Sequence, residues 1–97
     1  MDPTLAAKIA RREAVVRSLQ ELLVERQQLA QAPADLDPDA LLVGGGLDLD
    51  SLDVLTLVVG VEQVFHLRIE TEAAARPALR TLNTLADLIL SAQGDAP

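Results

Sequence analysis

The stretch LDSLDVLTLVVGVEQVF, residues 49–65, holds an apolar run that fits either a buried strand or a helix. A strand would need a partner, and the sequence contains no second β-rich run to pair with it. Asp50 stands directly before the run and Asp53 follows three residues later, which is the pattern of an N-cap with an acid in the first helical turn. We therefore predict a helix over residues 51–65, in which Gly60 costs about 1 kcal/mol relative to alanine.

A longer amphipathic helix is predicted upstream, over residues 3–31. Asp2 followed by Pro3 suits a helix start, because proline is tolerated at the first helical position. Pro33 suits its end, because the residue before a proline avoids helical backbone angles. Apolar residues recur at three- and four-residue steps or their sums and are predicted to face the core: Leu5, Ile9, Val16, Leu19 and Leu23. A second apolar set at seven-residue spacing keeps a coiled-coil partner open: Val15, Leu22 and Leu29.

The remaining segments are a long connection and two further helices. The connection, residues 33–50, contains proline and glycine, and its leucines indicate that it packs back onto the core. A short helix is predicted within residues 70–80, around Glu72–Ala75. A last helix is predicted over residues 84–92, with Asn83 as its N-cap.

These elements predict an all-α fold. The predicted fold is a small four-helix bundle of three longer helices and one short helix, with a long loop between the first helix and the second. We expect a single domain over residues 1–97, with a core from about residue 5 to residue 92 and a frayed tail at residues 93–97.

The composition excludes several classes of protein. The chain has 97 residues, no cysteine, one histidine and one aromatic residue, and its formal net charge is −7. Without cysteine there is no disulfide, no thiolate zinc site and no cysteine nucleophile. A single histidine leaves no pair for a histidine-based metal site. A nucleic-acid-binding protein would offer stacking rings and a basic face, and this chain has neither.

Charge and hydropathy predict a location and a kind of partner. Residues 1–30 hold five bases and four acids, whereas residues 31–97 hold three bases and eleven acids. The acidic part is expected to repel nucleic acid and anionic membranes and to attract proteins with basic patches. We find no signal-peptide pattern and no apolar run long enough to span a bilayer, so we expect a cytoplasmic protein.

The sequence offers Ser51 no catalytic base. His66 lies near the far end of the same predicted helix, roughly 22 Å away at 1.5 Å per residue, and no G-x-S-x-G elbow surrounds the serine. Residues 35–39 have the D-x-D-x-D spacing of a calcium loop but lack its glycine and glutamate. Residues 44–46 lack the lysine of a phosphate loop. We predict no catalytic residue, no metal site and no enzymatic activity.

Two interpretations of Ser51 remain. It is a plain serine in the first turn of a capped helix, or it is a hydroxyl that another enzyme modifies. A phosphate attached there would face free backbone N–H groups and the positive end of the helix dipole. The position therefore suits a modified serine better than a catalytic one.

Residues 44–70, GGGLDLDSLDVLTLVVGVEQVFHLRIE, resemble the phosphopantetheine attachment region of acyl carrier proteins. That family typically has a loop with glycine and leucine, then Asp-Ser-Leu-Asp, here residues 50–53. An apolar helix follows and ends in Glu-x-x-Phe-x-h-x-Ile, where h is apolar, here residues 62–69. The segment LNTLADLI, residues 82–89, is similar to the last helix of the family. The resemblance covers about residues 5–92.

The resemblance implies that Ser51 carries 4′-phosphopantetheine, transferred from coenzyme A by a separate Mg²⁺-dependent phosphopantetheinyl transferase, with Asp50 orienting the attachment. The thiol of that group would hold acyl intermediates as thioesters for fatty-acid or polyketide-type biosynthesis. Partners would be acyl-transferring, condensing or ligase enzymes with basic docking patches, and the carrier would be a monomer. The residues implied in partner recognition are Leu52, Asp53, Thr56, Val59 and Glu62.

Three departures from the family pattern favour a specialised pathway. Many fatty-acid carriers have acids where this chain has Thr56 and Gln63, the span from Ile69 to Leu82 is longer than in the short carriers, and the first helix is unusually long. Two alternatives stay open. One is a peptidyl or aminoacyl carrier, and the other is an unmodified helical interaction module that dimerises through the first helix.

Overall fold

Three α-helices make up most of the chain in a computed structural model, which describes residues 2–43, 46–69 and 77–93. They are α1 (Pro3–Gln27), α2 (Ser51–Phe65) and α3 (Leu82–Ala92), and a short 3-10 helix spans Pro33–Asp35. The all-α prediction is confirmed for the described residues, which contain no strand. The predicted short helix around Glu72–Ala75 lies outside them, and the described residues 77–80 of the same span form turns.

Leucine supplies most of the core among the described residues, and the three helices and the connection between α1 and α2 all contribute to it. Fully burying one leucine side chain stabilises a fold by about 1.5–3 kcal/mol. Because the connection between α1 and α2 contributes three buried leucines, it is part of the core and not an external loop, as its leucines predicted. The buried apolar residues are Val15, Leu19, Leu22, Leu23, Leu36, Leu42, Leu49, Leu57, Val61, Leu82, Leu85, Ala86 and Ile89.

The second apolar set of α1 belongs to this same core. Val15 and Leu22 are each 6% exposed, and Leu29 is half-buried against the core. The coiled-coil partner that the seven-residue spacing kept open would need these side chains at the surface. In this chain the same side chains pack in or against its own core.

The N-terminal part of α1 extends beyond its neighbours. Leu5 is 50% exposed and Ile9 is 40% exposed, so the prediction that they face the core is wrong. Arg12, the next residue along α1, is only partly exposed, and its guanidinium pairs with Asp87 and donates to the Asn83 carbonyl. Residues 2–11 are all exposed, and at 1.5 Å per residue this exposed stretch is roughly 13 Å long.

Helix α1 ends at Gln27, four residues before the predicted end. Gln28 adopts left-handed backbone angles, φ 52° and ψ 46°. The N–H groups of Gln28 and Leu29 both donate to the Val24 carbonyl, which closes the helix. Pro33 does not end α1 and instead begins the 3-10 helix.

Helix α3 begins at Leu82, two residues earlier than predicted. Its N-cap is Thr81, whose hydroxyl accepts from the Thr84 N–H while the Thr84 hydroxyl accepts from the Thr81 N–H. This start places Leu82, Leu85, Ala86 and Ile89 on one buried face, at steps of three, one and three residues. Asn83, the predicted cap, instead holds the connection: its N–H donates to the Pro38 carbonyl and its side chain donates to Asp39.

The connection returns along α1 to the end where α2 begins. Gln20 is buried, and its side-chain amide donates to the Leu36 carbonyl at 2.8 Å. Asn83 then fixes residues 38–39 beside Arg12, which is two turns closer to the N-terminus of α1. The chain has therefore run backwards along α1 before Ser51 opens α2.

Helices α1 and α2 consequently run in the same direction. Gly60 lies against Leu22, and one turn later Gln63 accepts a hydrogen bond from Arg26 at 3.2 Å. A Cβ on Gly60 would come within 3.1 Å of the Leu22 side chain, so glycine permits this close approach despite its low helix propensity. Ser51, nine residues before Gly60, thus lies at the same end of the bundle as Arg12.

We predict that Gln20→Met lowers the free energy of unfolding by about 1–3 kcal/mol, because the Leu36 carbonyl would lose its donor inside the core. The measurement is urea unfolding followed by circular dichroism. Gln27→Met is the matched control, since no hydrogen bond of the Gln27 side chain is present among the described residues, and it should change stability by less than about 0.5 kcal/mol. Equal effects of the two substitutions would contradict a role for the Gln20 hydrogen bond.

Candidate functional site

A reciprocal capping box fixes the start of α2. The Asp50 carboxylate accepts from the Asp53 N–H at 2.8 Å, and the Asp53 carboxylate accepts from the Asp50 N–H at 3.1 Å. The Val54 N–H donates to the Asp50 carbonyl at 3.0 Å. The prediction that Asp50 is the N-cap, with Asp53 in the first turn, is therefore confirmed.

Ser51 is the first residue of α2, and it is exposed. None of the described residues hydrogen-bonds to its hydroxyl. The capping box accounts for the N–H groups of residues 50 and 53, which leaves those of Ser51 and Leu52 without a partner in the described ranges. The site thus combines an accessible hydroxyl with free donors at the positive end of a helix.

The segment before Ser51 is held against the α3 side of the bundle. Leu42 donates to the Arg80 carbonyl at 2.9 Å and accepts from the Leu49 N–H at 2.7 Å, and both leucines are buried. Gly46 has a φ of +41°, and a Cβ there would come within 2.7 Å of the Leu41 carbonyl oxygen, so this turn requires glycine. Ser51 therefore follows an anchored segment, which fixes its position.

Three of the five residues implied in partner recognition form part of the outer surface of α2. Leu52 is 70% exposed and Val59 is 41% exposed. Thr56 is half-buried between them, and its hydroxyl donates to the Leu52 carbonyl at 3.0 Å. Thr56 can thus offer its methyl group to a partner while its hydroxyl is engaged with the helix.

The two acids of α2 are engaged within the chain. Asp53 is half-buried in the capping box. Glu62 is also half-buried, and its carboxylate accepts from the Ile69 N–H at 2.9 Å, which fixes the segment after α2 to the helix. Both carboxylates therefore have a structural role at the two ends of α2.

Leu55 is an exposed residue that the sequence interpretation did not include in the site. It is 59% exposed and lies one turn after Ser51. Helical spacing groups it with Leu52 and Val59, but the apolar run does not tell which of its faces is buried. Only the direction from which α1 packs, fixed at Leu22 and Gly60, places Leu57 and Val61 inside and Leu55 outside.

The remaining polar candidates lie away from Ser51 or serve the fold. His66 is the left-handed C-cap of α2, with φ 55° and ψ 45°, and so lies at the opposite end of the helix. Asp37 accepts from the Asp39 N–H, and Asp39 accepts from the Asn83 side chain. Within residues 2–43, 46–69 and 77–93, no three His, Cys, Asp or Glu side chains are grouped to hold a metal ion.

No protein-family model and no curated protein sequence matches this chain. Within the described residues, no helix is both long enough and apolar enough to cross a membrane.

We predict that Asp50→Ala lowers the free energy of unfolding by about 1 kcal/mol, because the Asp53 N–H loses its acceptor. Asp50→Ser is the matched variant: its hydroxyl can still cap the helix, so it should restore most of that loss. Urea unfolding of the three proteins provides the comparison. If Asp50→Ser is as unstable as Asp50→Ala, the stabilisation by Asp50 does not come from capping.

Proposed function

We propose that the chain is a carrier protein in which Ser51 is esterified with 4′-phosphopantetheine. The observation that carries this proposal is the exposed Ser51 hydroxyl, unpartnered in the described ranges, at the first position of a helix whose start is rigidly capped. The resemblance of residues 44–70 to the attachment region of acyl carrier proteins is the reason for assigning 4′-phosphopantetheine to this serine.

The residues around Ser51 fit a covalently attached phosphate better than a bound free one. The N–H groups of Ser51 and Leu52 and the helix dipole favour a phosphate next to the serine oxygen. The Asp50 and Asp53 carboxylates lie in the same turn and would repel a free anion. An ester bond to Ser51 overcomes this repulsion, because it holds the phosphate in place covalently.

Loading would need a separate enzyme. His66 is at the other end of α2, and no described side chain hydrogen-bonds to the Ser51 hydroxyl as a base would. A phosphopantetheinyl transferase would supply that base and the Mg²⁺. The serine oxygen would gain the pantetheine phosphate, and the adenosine bisphosphate half of coenzyme A would leave. Asp50, adjacent to Ser51, is the residue we assign to orienting this reaction.

The chain itself would act as a shuttle and not as an enzyme. When bound, phosphopantetheine supplies a thiol that holds an acyl intermediate as a thioester, chemistry that a chain without cysteine cannot provide. The capped α2 start holds the attachment point while acyl-transferring, condensing or ligase enzymes act on the cargo. We place the carrier in the cytoplasm as a monomer, in a specialised acyl or polyketide-type pathway.

We predict a mass gain of one phosphopantetheine when the chain is incubated with coenzyme A, Mg²⁺ and a broad-specificity phosphopantetheinyl transferase. Intact-protein mass spectrometry measures it. Ser51→Ala should abolish the gain and keep the helical circular dichroism, whereas Ser91→Ala, which changes an exposed serine of α3, should load like the original chain. A folded chain that gains no mass would contradict the carrier function and favour an unmodified interaction module.

A second prediction separates the two roles of Asp50. Asp50→Ser keeps a capping side chain but removes the carboxylate, so we expect slower loading in a protein of nearly unchanged stability. We expect kcat/KM for the transferase to fall at least about tenfold, as for the loss of one charge-assisted contact. Unchanged loading kinetics would limit Asp50 to capping.

A further inference from the structure

We propose that the transferase that modifies Ser51 docks on an apolar stripe of α2, formed by Leu52, Leu55 and Val59, and not on the acids of that helix. This inference rests on the proposed function, because the partner is defined as the coenzyme-A-dependent enzyme that reaches the Ser51 oxygen. It adds Leu55 as the central docking residue and sets the chemistry of the partner surface as apolar.

The stripe is continuous and begins beside the modified residue. Its members are spaced by three and four residues, so they lie on one side of the helix. Their side chains are 70%, 59% and 41% exposed, in chain order. Leu55 is four residues from Ser51, about 6 Å along the helix axis. An enzyme that contacts the Ser51 oxygen is therefore within reach of both Leu52 and Leu55.

The charged groups of α2 are few, and each of them already has a hydrogen-bond partner within the chain. Asp53 and Glu62 are the only charged residues among Ser51–Phe65, and both carboxylates accept backbone hydrogen bonds that hold the ends of the helix. Drawing Asp53 away toward a partner lysine would break half of the capping box. Gln63 is likewise engaged by Arg26.

Charge complementarity therefore favours an apolar partner surface. An acidic helix would be matched by a basic patch, and their attraction would weaken as salt screens it. The free energy gained by burying leucine and valine side chains depends on the apolar area removed from water, and moderate salt does not screen it. The two docking modes are therefore expected to differ in the salt dependence of KM and in which residues control KM.

The test is steady-state loading of the full chain by a broad-specificity phosphopantetheinyl transferase with coenzyme A and Mg²⁺. We expect Leu55→Gln to raise KM for the carrier about tenfold with kcat little changed, as for the loss of an apolar contact at the centre of an interface. Val59→Gln should raise KM less, because it lies farther from Ser51. Both positions are exposed, and circular dichroism and urea unfolding check that each variant is folded.

The matched controls remove charge and keep the hydrogen bonds. In Asp53→Asn and Glu62→Gln the amide oxygen can still accept from the Asp50 and Ile69 N–H groups, respectively, and we expect KM to change less than about twofold. A rise in KM for these two variants, with Leu55→Gln unaffected, would overturn the proposal in favour of basic docking. A steep rise in KM for the original chain between low and moderate salt would do the same.

The loading assay distinguishes failure of the proposed carrier function from failure of the proposed docking surface. If the original chain gains no phosphopantetheine at any carrier concentration, both proposals are overturned. If it loads and Leu55→Gln loads with the same KM, only the apolar docking surface is overturned.

Discussion

The position of Ser51 depends on one buried hydrogen bond, from the Gln20 side chain on α1 to the backbone carbonyl of Leu36. The segment after α1 has to return along the helix, and its backbone polar groups must be satisfied where it packs on the core. Gln20 satisfies the carbonyl of Leu36, a residue that is 2% exposed and belongs to the same core as Leu19. Asn83 and the Arg80 carbonyl then hold the following residues against the start of α3. These contacts bring the chain to the Arg12 end of the bundle before α2 begins.

The packing of α2 against α1 then determines which side of α2 faces the core. Gly60 lets α2 approach Leu22, and this contact selects which residues of the apolar run are buried. Leu57 and Val61 enter the core, whereas Leu52, Leu55 and Val59 remain outside. The glycine that weakens α2 as an isolated helix is therefore the residue that allows the helix to pack. The same contact gives the helix an apolar outer surface beside Ser51, and the capping box fixes the serine at its first position.

The sequence predicts features that local rules determine. The start of α2 at Ser51 followed from Asp50 and Asp53, because a capping box involves only neighbouring residues. The start of α3 did not, since Thr81 and Asn83 are both good caps and only the burial of Leu82 and Ile89 selects between them. Periodicity assigned Leu5 and Ile9 to the core, but it carries no information on where the neighbouring helix ends. For the same reason the role of Leu55 could not be predicted: its exposure depends on the direction from which α1 approaches.

Ser51, and not another hydroxyl of the chain, is the attachment point that we propose. Trypsin cleavage after Arg26 and Arg68 releases a peptide, residues 27–68, in which the only hydroxyl side chains are those of Ser51 and Thr56. The Thr56 hydroxyl is half-buried and engaged with the Leu52 carbonyl, whereas Ser51 is exposed. The most direct measurement is fragmentation mass spectrometry of this peptide after the chain has been co-produced with a phosphopantetheinyl transferase. We predict phosphopantetheine on Ser51 alone; its presence on Thr56 or on another peptide, or its complete absence, would contradict the account.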